Sequence, residues 1–292
     1  MSCEDSQPIF VVGTGRSGST VFFDILATHP NVAWPSELSR RYPDRIWLNQ
    51  SLMWLRSCSL VERLLGKRYG PSEAYPFWDL NCPGFSNPYR DLVAEDVTLT
   101  SASRIRDSVA RITNDRRDRF LAKITGWPRI RYLREIFPNS LFIEVTRSPY
   151  AIASSLLDVE FWDGWRGPPH WRRGPLPADL DAIWRQEGES FVALAAIEYV
   201  IVQRAMAQCR AALSAQQIHT VVYSELCADA VGVIRKAIDF SRLEWSSRFE
   251  KAIRRVRLVN RDDQWRKNLS TAQQAILVRT LERAQAMALP EQ

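Results

Sequence analysis

The chain has 292 residues, 46% of them hydrophobic and 25% charged, the proportions of an ordinary globular protein. A chain of that length buries a core of its own, which excludes a disordered polymer, a collagen-like repeat and a disulfide-stapled miniprotein. The net charge of +6 is a modest excess, compatible with nucleic acid or with a small polyanionic ligand.

The first residues, MSCEDSQP, are polar and acidic and lack the basic and apolar regions of a secretory signal. No run of roughly 18 apolar residues stands out as a membrane span. The expectation is a cytoplasmic protein with no membrane span. Cys3, Cys58, Cys82, Cys209 and Cys227 are scattered without a CxxC pair, and only three histidines accompany them. That pattern predicts reduced thiols and no metal site. Of the 39 basic residues, five are Lys, so each Lys is a selective choice.

Short apolar runs rich in β-branched residues predict strands over Ile9–Val12, Val32–Trp34, Phe120–Ile124, Leu141–Val145 and His219–Tyr223. Helical patterns lie between and after them, over Thr20–Thr28, Pro128–Phe137, Pro149–Leu157, Ala178–Leu213, Ala230–Phe240 and Thr271–Ala288. The alternation predicts an α/β domain with a central parallel sheet covered on both faces. No repeat, low-complexity linker or boundary divides it, so one domain over 1–292 is expected, with helical or irregular insertions at about 57–118 and 158–215. Ser57–Thr100, rich in Pro, Gly, Tyr and Trp, reads as irregular. Asp158–Pro177 holds three Trp and four Pro, and reads as a lid or acceptor-binding loop, with a packed structural corner as the alternative. Arg104–Arg134 holds ten Arg or Lys against three Asp. With no recognition-helix or RNA-binding signature beside it, this tract reads as a solvated face, and no nucleic-acid partner is expected.

Residues 9–20 read IFVVGTGRSGST. A strand enters a glycine-rich turn and a helix follows, so backbone N–H groups and the helix dipole converge on an anion. Set against GxxxxGK[ST], Gly13 and Gly18 fit, but Ser19 stands where the nucleotide-triphosphate motif has Lys. That substitution argues against an ATP or GTP hydrolase. Arg16 supplies a cation from another position. The turn is therefore read as a smaller anion site made by Gly15, Arg16, Ser17, Gly18, Ser19 and Thr20, within a P-loop-like three-layer fold. A second pattern, SLFIEVTRSPYAIASSLL at 140–157, places Arg147 at a strand end. Ser155 lies in the helix that Pro149 opens. An Arg fork and a hydroxyl there can meet one phosphate. Ser154 is a neighbouring alternative.

Together the two motifs resemble the sulfotransferase family, which uses 3′-phosphoadenosine 5′-phosphosulfate (PAPS) as donor and leaves 3′,5′-bisphosphoadenosine (PAP). The spacing is most similar to the tyrosylprotein and bacterial members. The resemblance runs through residues 9–37, 120–157 and 218–269. It implies that the GTGRSGST turn holds the 5′-phosphosulfate, and that Arg147 and Ser155 hold the 3′-phosphate. It further implies that Glu37, after the short second strand, is the catalytic base, with His170 as a rival. Lys123, in RFLAKITGWPRI, would offset charge on the leaving oxygen, with Arg16 sharing the role. NRDDQWRKNL at 260–269 resembles the family's C-terminal donor-binding element without its glycines, and offers Lys267 or Arg261 as a donor ligand. His29, in a His-Pro turn, is read as structural. The implied activity is sulfuryl transfer to the hydroxyl of a small molecule, sugar or peptide tyrosine, with no metal. An unusual P-loop kinase or NTPase, or a non-catalytic nucleotide-binding protein, is the alternative. The acceptor and the oligomeric state are not legible.

Overall fold

Five strands form one all-parallel sheet in the order β2-β3-β1-β4-β5. They are β1 (Ile9–Gly13), β2 (Val32–Ala33), β3 (Arg119–Thr125), β4 (Leu141–Thr146) and β5 (Ile218–Val222). The structure, a computed structural model, describes residues 7–66, 68–87 and 89–287, so Cys3 and the predicted helix end at Ala288 lie outside it. β1 is buried at all five positions, which is why its sequence is continuously apolar rather than alternating. All five predicted strands are present, within a residue or two of the expected ends.

The order of the strands positions the site. From β1 the chain moves outward past β3 to β2, and from β3 it returns across β1 to β4. The direction of winding therefore reverses beside β1. In open α/β sheets the crevice at such a reversal, beyond the carboxyl ends of the strands, receives ligands. Here those ends are Gly13, Thr125 and Thr146, with Gly13 opposite Thr125 and Lys123 opposite Val11.

Phe10 of β1 anchors the core under the sheet. Its ring lies 5.7–6.5 Å from those of Phe142, Phe137, Trp78 and Phe120. Trp78 comes from the stretch expected to be irregular. That expectation is corrected: the stretch contains helices Ser59–Leu65 and Tyr75–Asn81, and Phe77 and Trp78 are fully buried. Both helices are seven residues long, too short for hydrophobic periodicity to register. The basic tract is also corrected in part. Arg117 is buried, donating to the Val32 and Arg56 carbonyls and pairing with Glu62. Arg129 is buried and donates to the Asn87 and Arg90 carbonyls.

A second hydrophobic cluster joins Pro149–Leu157, Ala178–Gln186, Phe191–Ala211 and Thr271–Ala286. The single helix expected over Ala178–Leu213 is two. Gly188 and Glu189 adopt left-handed φ of 67° and 57°, which ends the first helix. The Ser190 hydroxyl then caps the second by accepting from Val192 N–H. Phe191–Ala211 is, by length and composition, apolar enough to cross a membrane. It packs here against Pro149–Leu157 and Thr271–Ala286.

Candidate active site

The glycine turn after β1 is drawn tight against Tyr223, the residue that follows β5. Gly18, at φ 89°, caps the helix Ser19–Ala27, and a Cβ there would lie 2.3 Å from the Tyr223 ring. Arg16 takes a left-handed φ of 69° and is exposed, as is Thr20, whereas Ser17 and Ser19 are buried. The Ser17 hydroxyl has no hydrogen-bond partner and lines neither of the cavities that flank the turn.

Those two cavities meet at Arg16, Ser19 and Thr20. The first, about 550 Å³, lies over the helix Pro149–Leu157 and contains Arg147, Ser154 and Ser155. Arg147 is held from three sides. Its Nε donates to Asp262 at 2.7 Å, its Nη1 donates to the Arg16 carbonyl at 3.1 Å, and its guanidinium lies 4.6 Å over the Tyr223 ring. Arg16 Nε donates to Ser155 Oγ at 2.9 Å. The two predicted phosphate grips are therefore in contact through Arg16. Arg257 and Arg261 also line this cavity, and Lys267 does not. Arg257 was missed because the C-terminal motif was read only from Asn260 onward. Four guanidiniums against Asp24 and Asp158 in the lining suit a ligand with separated anionic groups, and the volume falls in the range of ligand pockets.

The second cavity, about 420 Å³, opens on the other side of the turn. Behind their shared wall is Lys123, which lines neither cavity itself and whose side chain is 8% exposed. Its ammonium donates to Thr20 Oγ1 at 2.7 Å and pairs with Glu73 Oε1 at 3.0 Å. Thr125, two residues on and at the strand end, donates its hydroxyl to the same carboxylate oxygen at 2.9 Å. Tyr75 donates to the Thr125 carbonyl at 2.9 Å. Burial, with the Glu73 charge beside it, pushes the Tyr75 hydroxyl up to about 12, so it stays a donor at neutral pH. Lys123 thus spans from the anion-binding turn to a carboxylate in the adjoining cavity.

Glu37 is elsewhere. It begins the short helix Glu37–Arg41, pairs with Arg40 at 2.6 Å with its side chain 43% exposed, and lines neither cavity. The carboxylate beside the turn is Glu73, which sequence reasoning missed. Its segment lies against that of Glu37: Ser36 bridges Pro71, Ser72 N–H donates to the Pro35 carbonyl, and Glu37 N–H to that of Gly70. His170 is exposed and lines neither cavity. His29 is fully buried between the Glu244 carbonyl and Asn31 N–H, and burial lowers its pKa, as a structural histidine requires.

Strand, turn, helix N-terminus and clustered guanidiniums at a winding reversal define an α/β protein with a P-loop-like fold. The chain belongs to the sulfotransferase family, whose model matches residues 8–247. Its fold is similar to that of sulfotransferase STF1 from Mycobacterium tuberculosis H37Rv. That pair shares 17% identity at a TM-score of 0.55, covering 96% of this chain and 77% of that one. STF9 from Mycobacterium avium matches at 16% identity and a TM-score of 0.55, covering 95% and 76%. The sulfotransferase domain from the curacin biosynthetic pathway matches at 12% identity and a TM-score of 0.51, covering 94% and 97%. No curated protein matches the sequence.

Proposed function

We propose that the protein moves a sulfuryl group from PAPS to an acceptor hydroxyl, with donor and acceptor meeting at the glycine turn. The observation that carries this reading is Lys123, which joins the turn to a carboxylate in the neighbouring cavity. The Arg147 cavity would take the nucleotide. Arg147, Ser155, Arg257 and Arg261 suit its 3′-phosphate end, and the turn amides with Arg16 suit the 5′ end.

The Glu73 cavity would take the acceptor. Glu73, rather than Glu37, would accept the hydroxyl proton. The acceptor oxygen would bond to sulfur as the bond from sulfur to the 5′-phosphate oxygen breaks. Lys123 and Arg16 would offset the charge that develops on that leaving oxygen. PAP then departs as the bisphosphate. Lys123 also orients Glu73 through its ion pair, so one side chain serves both partners.

Calorimetric titration with PAP and with ATP plus magnesium, side by side, tests the donor. Tight PAP binding with weak ATP binding is expected. The reverse would replace this reading with a kinase or NTPase.

A further inference from the structure

Away from Glu73, the acceptor-side cavity holds a charge arrangement that its own residues leave unbalanced. Glu198, on the helix Phe191–Ala211, is buried with its side chain 3% exposed. Its Oε1 accepts from both Arg172 and Arg173, at 2.6 and 2.9 Å, and its Oε2 accepts from the Trp162 indole at 2.9 Å. One carboxylate thus serves two guanidiniums, and it is the carboxylate in ion-pair contact with them among the described residues. Burial disfavours the charged Glu198, yet Arg173 and Arg172 hold its carboxyl below the usual range, so it is ionised at neutral pH. The cluster keeps one positive charge. The nearby Arg129 does not cancel that charge, and its own is offset by its partner Asp91.

An uncompensated charge among buried groups is costly unless something pairs with it. Arg173 is 6% exposed, yet Nη1 of neither guanidinium hydrogen-bonds to a described residue. The Arg173 guanidinium looks onto Gly126. The Cβ that Gly126 lacks would stand 3.4 Å from Arg173 Nη2, so the missing side chain leaves that approach open. Aromatic rings back the cations, with Arg173 5.0 Å over Trp127 and Arg172 5.5 Å over Phe161. Both arginines, Glu198, Trp127 and Phe161 line the Glu73 cavity.

Given the sulfotransferase reading above, on which this rests, we infer that the acceptor is a compact hydroxyl compound bearing an anionic group, of the hydroxy-acid kind. Arg172 and Arg173 bind the anion while the hydroxyl faces Glu73. Compactness follows from the chain: Gly126, beside the Arg173 guanidinium, directly follows Thr125, which hydrogen-bonds to Glu73. The aromatic walls favour a flat ring between the two ends.

The test titrates PAP-saturated protein with 4-hydroxybenzoate and with its methyl ester, which keeps the phenol and removes the charge. The acid should bind about tenfold or more tightly than the ester, the scale of a charge-assisted hydrogen bond. Arg172→Gln, at a side chain 27% exposed, should erase that preference and leave ester affinity unchanged. Equal affinities in the wild-type protein, no binding of the acid, or a preference that survives Arg172→Gln would overturn the inference. Failure of PAP itself to bind would strike the sulfotransferase reading instead. The comparison of acid with ester on wild-type protein stands even if the variant does not fold.

Discussion

The Arg147 cavity and the Glu73 cavity share one wall, the glycine turn, but are made from different kinds of chain. The first is built at fixed offsets from strand ends: Gly13 to Thr20 after β1, and Arg147 to Ser155 after β4. The second is assembled from segments without periodicity. Glu73 follows a bridge between Ser36 and Pro71, and Arg172 and Arg173 are held by Glu198, about 25 residues further on. A phosphate is bound by backbone amides and nearby cations, which local sequence can specify. A variable acceptor is bound by side chains that only long-range packing brings together.

The largest effect should separate the two candidate bases. Glu73→Gln should lower kcat by about 100-fold or more, the contribution of a lost general base, with PAP affinity nearly unchanged. Glu37→Gln should leave the rate within about twofold, the scale of an exposed ion pair, because its carboxylate is engaged with Arg40. Steady-state rates with titrated PAP decide it. A dead Glu37→Gln and an active Glu73→Gln would return the role to the residue that the family resemblance implies.

On the other side of the turn, Arg147→Ala should weaken PAP binding by about 1.5–3 kcal/mol, the scale of a hydrogen bond to a charged group. The loss should fall on binding more than on turnover of saturated enzyme. Lys267→Ala should change PAP affinity little, since Lys267 does not line the cavity. Calorimetry that showed no loss in Arg147→Ala would remove the 3′-phosphate assignment and, with it, the division of labour between the cavities.

The sheet was legible because its strands are short runs rich in apolar and β-branched residues, bounded by turn residues. Arg16, Arg147 and Ser155 were legible because they follow those strands at short range, whereas Arg257 follows no strand closely and was missed. Glu37 was chosen for its place after β2, which is a local argument. That place is real, but the neighbouring segment 70–73 carries a second carboxylate past it to the strand edge. Nothing within Tyr69–Tyr75 announces this, since the pairing that guides Glu73 is with residues 35–37. The split of Ala178–Leu213 had a visible signal in Gly188, which the strength of the flanking apolar pattern concealed.

The smallest expected effect compares a buried glutamate of the sheet with the one in the acceptor-side cluster. Glu198 is held below the usual carboxylate range by two arginines, so it contributes stability at neutral pH that is lost as the pH falls through its folded-state value. Glu144, fully buried on β4, is shifted the other way: burial raises its pKa against the opposing pull of Arg210. Its Oε2 has no hydrogen-bond partner, and Arg210 is 43% exposed. Because the folded-state value lies above the unfolded one, stability is greatest below the ordinary glutamate range and declines as the pH rises through the folded value. Glu144→Gln removes that decline. The variant should melt about 2–4 °C higher than wild type at pH 7.5, the shift that ~1 kcal/mol gives in a domain of this general size. The gain should vanish near pH 4, where wild-type Glu144 is protonated. Melting curves at both pH values test the sign. A variant less stable at pH 7.5 would mean that the bond to Arg210 outweighs the burial of the charge, and both buried glutamates would then stabilise the fold through their arginines.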